Sequence, residues 1–189
     1  MTESLNVSDI SARYGRVADT FDARLSALSD ADWKAQTPCE EWTARNLVGH
    51  VAGVHRMVLA MLDGSEAAPV DEDGDLISDF RSNRAAIQRA LGDEGTAMRV
   101  VDTKFFGEMP FAAVVGGILT GDTVVHTWDL ARATGQDESL DPEAVALTHE
   151  QLKSFGDGIR SPGAFGPEVA APAGADAVTA LIAYTGRTV

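Results

Sequence analysis

A single cysteine, Cys39, stands among the 189 residues, so no internal disulfide can form. That usage agrees with a reducing, cytoplasmic setting. Basic side chains are scarce as well, with 15 Lys and Arg against 29 Asp and Glu and a net charge of −14. A surface of that sign repels a phosphate backbone and an anionic bilayer alike, which sets nucleic acid and membranes aside as partners. No apolar run nears the ~20 residues needed to span a bilayer. The opening MTESLNVSDISARYG lacks a basic stretch leading into an apolar one, so no secretory signal is expected. Hydrophobic residues nevertheless reach 44%, enough to build the core of one domain, read here as spanning 1–189.

The apolar residues recur mostly at helical spacing. Ile10, Tyr14, Val17, Phe21, Leu25 and Leu28 step by threes and fours, the period of one buried helix face, with Ser8 placed to cap it. A second helix is expected from Thr43, its stripe being Leu47, Val51, Val54, Val58 and Met61, with Gly64 and Pro69 closing it. Asp71 to Asp75 reads as a solvated loop. Leu76, Phe80, Ile87 and Leu91 mark a third helix, with the weak helix formers Ser82 and Asn83 in its middle. The pieces 98–101 and 104–107 favour extended structure and predict a hairpin excursion. A fourth helix is expected to run from Pro110 to Gly135. A fifth follows Asp141 and Pro142, with Val145, Leu152 and Phe155 inward, up to Gly156. The Pro- and Gly-rich stretch 161–175 resembles a linker, yet Val178, Leu181, Ile182 and Tyr184 beyond it predict an end segment that packs back. The fold class is therefore all-α, a four-helix bundle with a short extended excursion and an additional C-terminal helical segment.

Chemistry concentrates on two of these helices. His50 shares the face of Leu47 and Val54, while His55 points well away from it. On the fourth helix Val115, Ile118, Asp122, His126 and Asp129 follow three- and four-residue steps, placing two acids and an imidazole on a largely buried stripe. Leaving such groups unpaired would cost several kcal/mol. Asp122 and His126 stand one turn apart and could grip a divalent ion, with His50 as third ligand from the facing helix. Two imidazoles and one carboxylate leave coordination positions open, as in catalytic rather than structural sites. Asp129 has three readings: a ligand, an acceptor that orients an imidazole, or half of an ion pair with Arg132. The alternative for the whole stripe is a metal-free Asp–His packing network.

Other conspicuous residues read as structural. Trp42 and Trp128 are expected as core anchors at helix ends. Cys39 has no basic neighbour in sequence to activate it, and His149 is expected at the surface. Gly116 and Gly117 would allow close packing or a bend near the site.

Thr37-Pro38-Cys39-Glu40-Glu41-Trp42-Thr43, Leu47-x-x-His50, Gly107-Glu108-Met109-Pro110 and above all the run from His126 to Gly135 resemble the DinB-like metal-binding family related to the N-terminal domain of mycothiol-dependent maleylpyruvate isomerase. The likeness continues through 165–169 and Gly186-Arg187, and so covers nearly the whole chain. The resemblance implies a divalent metal, commonly zinc or nickel, on His50, Asp122 and His126, and mycothiol as a thiol cosubstrate. In the isomerase-like members the acid is Glu. Asp122 is one methylene shorter, which would shift the ion or pass its role to Asp129. The isomerase also has a separate C-terminal domain with a substrate-binding arginine that 189 residues leave no room for, so maleylpyruvate isomerisation itself is not expected.

The leading expectation is a metal-dependent transferase or isomerase in which a small-molecule thiol attacks an electrophilic substrate. Two alternatives stand beside it: a non-catalytic metal-binding or stress-response protein, and a metal-dependent hydrolase using activated water. A homodimer is left open, because periodicity does not distinguish a core face from an interface face.

Overall fold

The computed structural model describes residues 5–104, 106–160 and 165–189. Four long helices form the bundle: α1 (Val7–Ser26), α2 (Ala44–Ala60), α3 (Leu76–Gly92) and α6 (Thr120–Thr134). Helix α1 lies against α3 and α6, and α2 against the same two, so the α1–α2 and α3–α6 connections cross the bundle diagonally. The second connection contains a turn of helix, α4 (Glu94–Ala97), the strands β1 (Val100–Asp102) and β2 (Glu108–Pro110), and a further turn, α5 (Phe111–Val114). Helices α7 (Pro142–Phe155) and α8 (Ala177–Tyr184) cover the outside, α7 resting on α6 and α1 and α8 on α7.

The helical period explains the core. Ile10, Tyr14, Phe21 and Leu25 of α1 meet Leu47, Val51 and Val58 of α2 and Phe80 and Ile87 of α3, all buried. Phe21 and Phe80 meet edge to face at 4.9 Å, and burying each ring contributes about 1.5–3 kcal/mol. A smaller cluster of Val17, Val124, Ala144, Val145 and Leu181 fastens α7 and α8 to the bundle. Among the described residues no helix is long and apolar enough to cross a membrane.

Local chemistry sets the boundaries, with several corrections. The cap of α1 is Asn6 rather than Ser8: Asn6 Oδ1 accepts from the Asp9 amide at 3.2 Å, while Ser8 is already helical. Thr43 caps α2 as expected, in a reciprocal box with Asn46. The hairpin pairs 100–102 with 108–110. The expected second strand at 104–107 is instead the connecting turn, where Thr103 Oγ1 donates to the Gly107 carbonyl; Phe105 of that stretch lies outside the described residues, as does Ser161 at the head of the presumed linker. The expected continuous fourth helix starts only after Pro110, the end of β2, and is interrupted by a π-helical turn over Val115–Leu119. The Val115 carbonyl accepts from the Thr120 amide five residues on, and Thr120 Oγ1 donates to the same oxygen at 2.6 Å. Gly116 lets α1 approach there, because a Cβ would sit 3.2 Å from the Ile10 side chain. Phe155, expected inward, is 40% exposed and lies against Phe106 at 5.4 Å.

Candidate functional site

The predicted polar stripe opens into a cavity of about 660 Å³ at one end of the bundle. Its floor is His50, Asp122 and His126, and its walls include Cys39, Trp42, Phe165 and Arg187. Asp122 Oδ1 lies 3.1 Å from His50 Nε2 and 3.5 Å from His126 Nε2. One ligand atom from each of the three residues falls within 4.8 Å of the others. The second Asp122 oxygen, Oδ2, is buried and has no protein partner. Burial alone would raise the Asp122 carboxyl, but the neighbouring His126 and the hydrogen bond from His50 outweigh it and hold the group below its usual range.

Asp129 lies between His126 and Arg187. Its side chain is fully buried, and Oδ2 lies 2.9 Å from His126 Nδ1. A carboxylate only accepts, so Nδ1 carries a proton toward Asp129, and Nε2 is the ring nitrogen that faces Asp122 Oδ1. The other side of Asp129 is clasped by Arg187, with Nε at 2.7 Å from Oδ1 and Nη2 at 2.8 Å from Oδ2. Burial opposes both charges, but the hydrogen bonds with His126 and Arg187 hold Asp129 low, and Asp129 in turn holds Arg187 high. Arg132, the partner considered from sequence, pairs with Glu138 instead.

Arg187 is the participant that spacing did not reveal, since it lies 58 residues beyond Asp129 in the chain. The only hint was the Gly186-Arg187 pair. Gly186 has φ +88°, and a Cβ on it would come within 2.8 Å of the Gly166 and Pro167 backbone, so glycine is required for the chain to bring Arg187 inward. Cys39 does have a basic neighbour in space, Arg187 Nη2 at 3.4 Å, and Asp129 Oδ2 at 3.7 Å. Burial first, and then Asp129, push its thiol up to about 11 against the effect of Arg187, so it is no activated nucleophile.

Trp42 packs against the core at the head of α2, as expected, and takes a second role at the cavity. It is half-buried in the loop before α2, and its ring lies 4.7 Å from that of His50 and 5.7 Å from that of His126, forming a cavity wall. The loop holds it there because Thr37 donates to the Trp42 carbonyl through both its amide and its hydroxyl, at 3.1 and 2.8 Å. Trp128 is a core residue, though in the middle of α6, with Arg132 over its ring. His55 points away from His50 into the core, where Nδ1 donates to the Val51 carbonyl at 2.7 Å and the ring meets Phe80 at 5.0 Å. His149 is half-buried beside Tyr184.

Comparison with known proteins agrees with this architecture. The mycothiol maleylpyruvate isomerase N-terminal domain family matches residues 14–131. Two curated relatives, the uncharacterized proteins MT0763 and Rv0738 from two strains of Mycobacterium tuberculosis, are each 32% identical over 178 residues, covering 93% of this chain and 96% of theirs. No solved structure matches the chain. The chain belongs to the mycothiol maleylpyruvate isomerase N-terminal domain family, within the DinB-like superfamily.

Proposed function

We propose that His50, Asp122 and His126 hold one divalent metal ion, zinc or nickel, and that the adjoining cavity admits a low-molecular-weight thiol of the mycothiol type for transfer to an electrophile. The observation that carries the reading is the convergence on Asp122. Its Oδ1 faces the Nε2 nitrogens of both imidazoles, and its Oδ2 is buried without a protein partner. Two imidazole nitrogens and a carboxylate oxygen gathered within 4.8 Å of one another are donor atoms that a single divalent cation can share. Imidazole and carboxylate donors suit zinc and nickel, and three protein ligands leave room for a sulfur donor.

When bound, the ion supplies a positive centre that favours the ionised form of an incoming thiol. The chain contributes placement. Asp129 fixes the His126 tautomer, Arg187 fixes Asp129, and Trp42 bounds the cavity over both imidazoles. The thiol proton passes to solvent water, the sulfur forms a bond to an electrophilic carbon as a π bond of the substrate opens, and the electron pair so released takes up a proton from water. No side chain beyond the three ligands is assigned a proton-transfer role. The family description supports the thiol.

The test is elemental analysis of the purified protein beside His50→Ala and His126→Ala variants, followed by incubation of the metal-loaded protein with mycothiol and a panel of electrophiles. Bound metal in the parent, its loss in both variants, and thiol consumption above the metal-free control are expected. Folded variants that keep the parent's metal content, or lower stability without any metal difference, would leave a packing network instead. Bound metal with hydrolysis but no thiol dependence would favour the hydrolase, and bound metal without turnover the non-catalytic protein.

A further inference from the structure

His126 has donor groups at both of its ring nitrogens. On the Nε2 side stand Asp122 and His50. On the Nδ1 side stand Asp129 and Cys39, and one ligand atom each from Cys39, His126 and Asp129 falls within 4.8 Å of the other two. A cysteine sulfur, an imidazole and a carboxylate gathered so closely form a donor set of the kind that zinc and softer divalent ions accept. A positive group already lies among them, because the Arg187 guanidinium reaches both Asp129 oxygens at 2.7 and 2.8 Å and the Cys39 sulfur at 3.4 Å.

We propose that Arg187 is a built-in cation that fills the Cys39–Asp129–His126 position, restricting metal to the Nε2 face of His126 and keeping Cys39 out of coordination. A guanidinium does not lose its proton, so its charge is permanent at any working pH. Its planar fork uses the oxygens that would otherwise face an ion, and a divalent ion placed in the same set would meet a like charge within bonding reach. Its position is held from outside the bundle, by the Gly186 backbone packed against Gly166 and Pro167. Among the described residues lining the cavity, Arg187 is the one guanidinium or ammonium, and its bonds go to Asp129 and Cys39 rather than to Asp122. Arg187 is thus a specificity residue: any sulfur donor to a bound ion has to come from an added thiol, not from the chain. This goes beyond the proposed function and does not depend on turnover.

Cadmium is the probe, because thiolate coordination to it gives a charge-transfer absorption that imidazole and carboxylate do not. Titration of the full chain is expected to give no thiolate band, and Cys39→Ser is expected to change cadmium affinity by less than about twofold. Arg187→Met keeps much of the side-chain length without the charge. It is expected to gain the band, and Arg187→Met combined with Cys39→Ser to lose it. A thiolate band in the unmodified protein overturns the proposal, as does a folded Arg187→Met variant that binds cadmium without one. If Arg187→Met does not fold, Arg187→Gln, which also removes the charge, takes its place in the same titration with the same two outcomes. Failure of the proposed function is seen separately: a protein that takes up no metal until Arg187 is replaced loses the His50–Asp122–His126 reading and keeps this one.

Discussion

The Nδ1 nitrogen of His126 lies 2.9 Å from Oδ2 of Asp129, three residues further along the same helix, and solvent does not reach that carboxylate. One acid therefore sets the orientation of an imidazole on one side and neutralises Arg187 on the other. Asp129→Asn keeps the shape and removes the charge, leaving a buried guanidinium uncompensated. A loss of about 3–5 kcal/mol in unfolding free energy is expected, with metal affinity lowered about 10- to 100-fold by the loosened His126. Urea denaturation and competition against a chelating dye measure the two effects. Unchanged metal affinity in the folded variant would remove Asp129 from the site.

His55 gives a pH dependence separate from the site. Burial, the largest influence, holds its imidazole down to about 4 against an ordinary 6.5; the hydrogen bond to Val51 and the acids Asp122 and Asp79 oppose that shift, and Arg84 adds to it. Between those values the unfolded chain binds a proton that the native protein does not, so stability falls as pH falls. The contribution is fully present above pH 6.5 and declines by about 3 kcal/mol toward pH 4. Asp122, Asp129 and Asp141 are held low in the folded protein, so their contributions persist through this window and are lost only at more acidic pH. Urea midpoints at pH 7 and pH 5 should differ in the parent and differ less in a His55→Gln variant, where His149, also held low by burial, still titrates. Equal slopes in both proteins would mean that another group titrates.

The sequence was most legible where structure is local. The α1 stripe from Ile10 to Leu25, the Thr43 cap and the Asp122–His126 turn depend on neighbours within four residues, and helical periodicity reports those neighbours directly. His50 reached the same face because its own stripe aimed it inward. What spacing hid was made by distant partners. Arg187 enters from beyond α8, Trp42 becomes a cavity wall because Thr37 ties down its loop, and the π turn sits where Gly116 lies under Ile10 of α1. A propensity scale sees only two poor helix formers at Gly116 and Gly117.

Two glycines separate tolerance from strain. At Gly117 an added Cβ would come 2.6 Å from Gln151 Nε2, the far end of a flexible side chain that can move aside. Gly117→Ala is therefore expected to change stability by less than about 0.5 kcal/mol, the gain in helix propensity offsetting the shift of Gln151. At Gly186 the obstacle is backbone and φ is +88°. Gly186→Ala is expected to lose about 1–3 kcal/mol and, by displacing Arg187 from Asp129, to weaken metal binding as well. Thermal unfolding and chelator competition on both variants test the contrast. A Gly186→Ala protein with parental stability and affinity would show that the C-terminal approach does not fix the site.

Trp42 offers an optical reading of the same floor. Its ring lies within 4.7 Å of His50 and 5.7 Å of His126, centroid to centroid, whereas Trp128 is buried two residues past His126, on another side of α6, against Arg132. Nickel held by the two imidazoles is open-shell and quenches an indole at that range far more than a distant one. Nickel titration is therefore expected to lower tryptophan emission in the parent, and Trp42→Phe to abolish most of that response while Trp33 and Trp128 still emit. The same titration in His126→Ala should be flat, because the ion rather than the indole is then missing. Quenching that survives in Trp42→Phe would put the nickel nearer another tryptophan, away from the cavity floor.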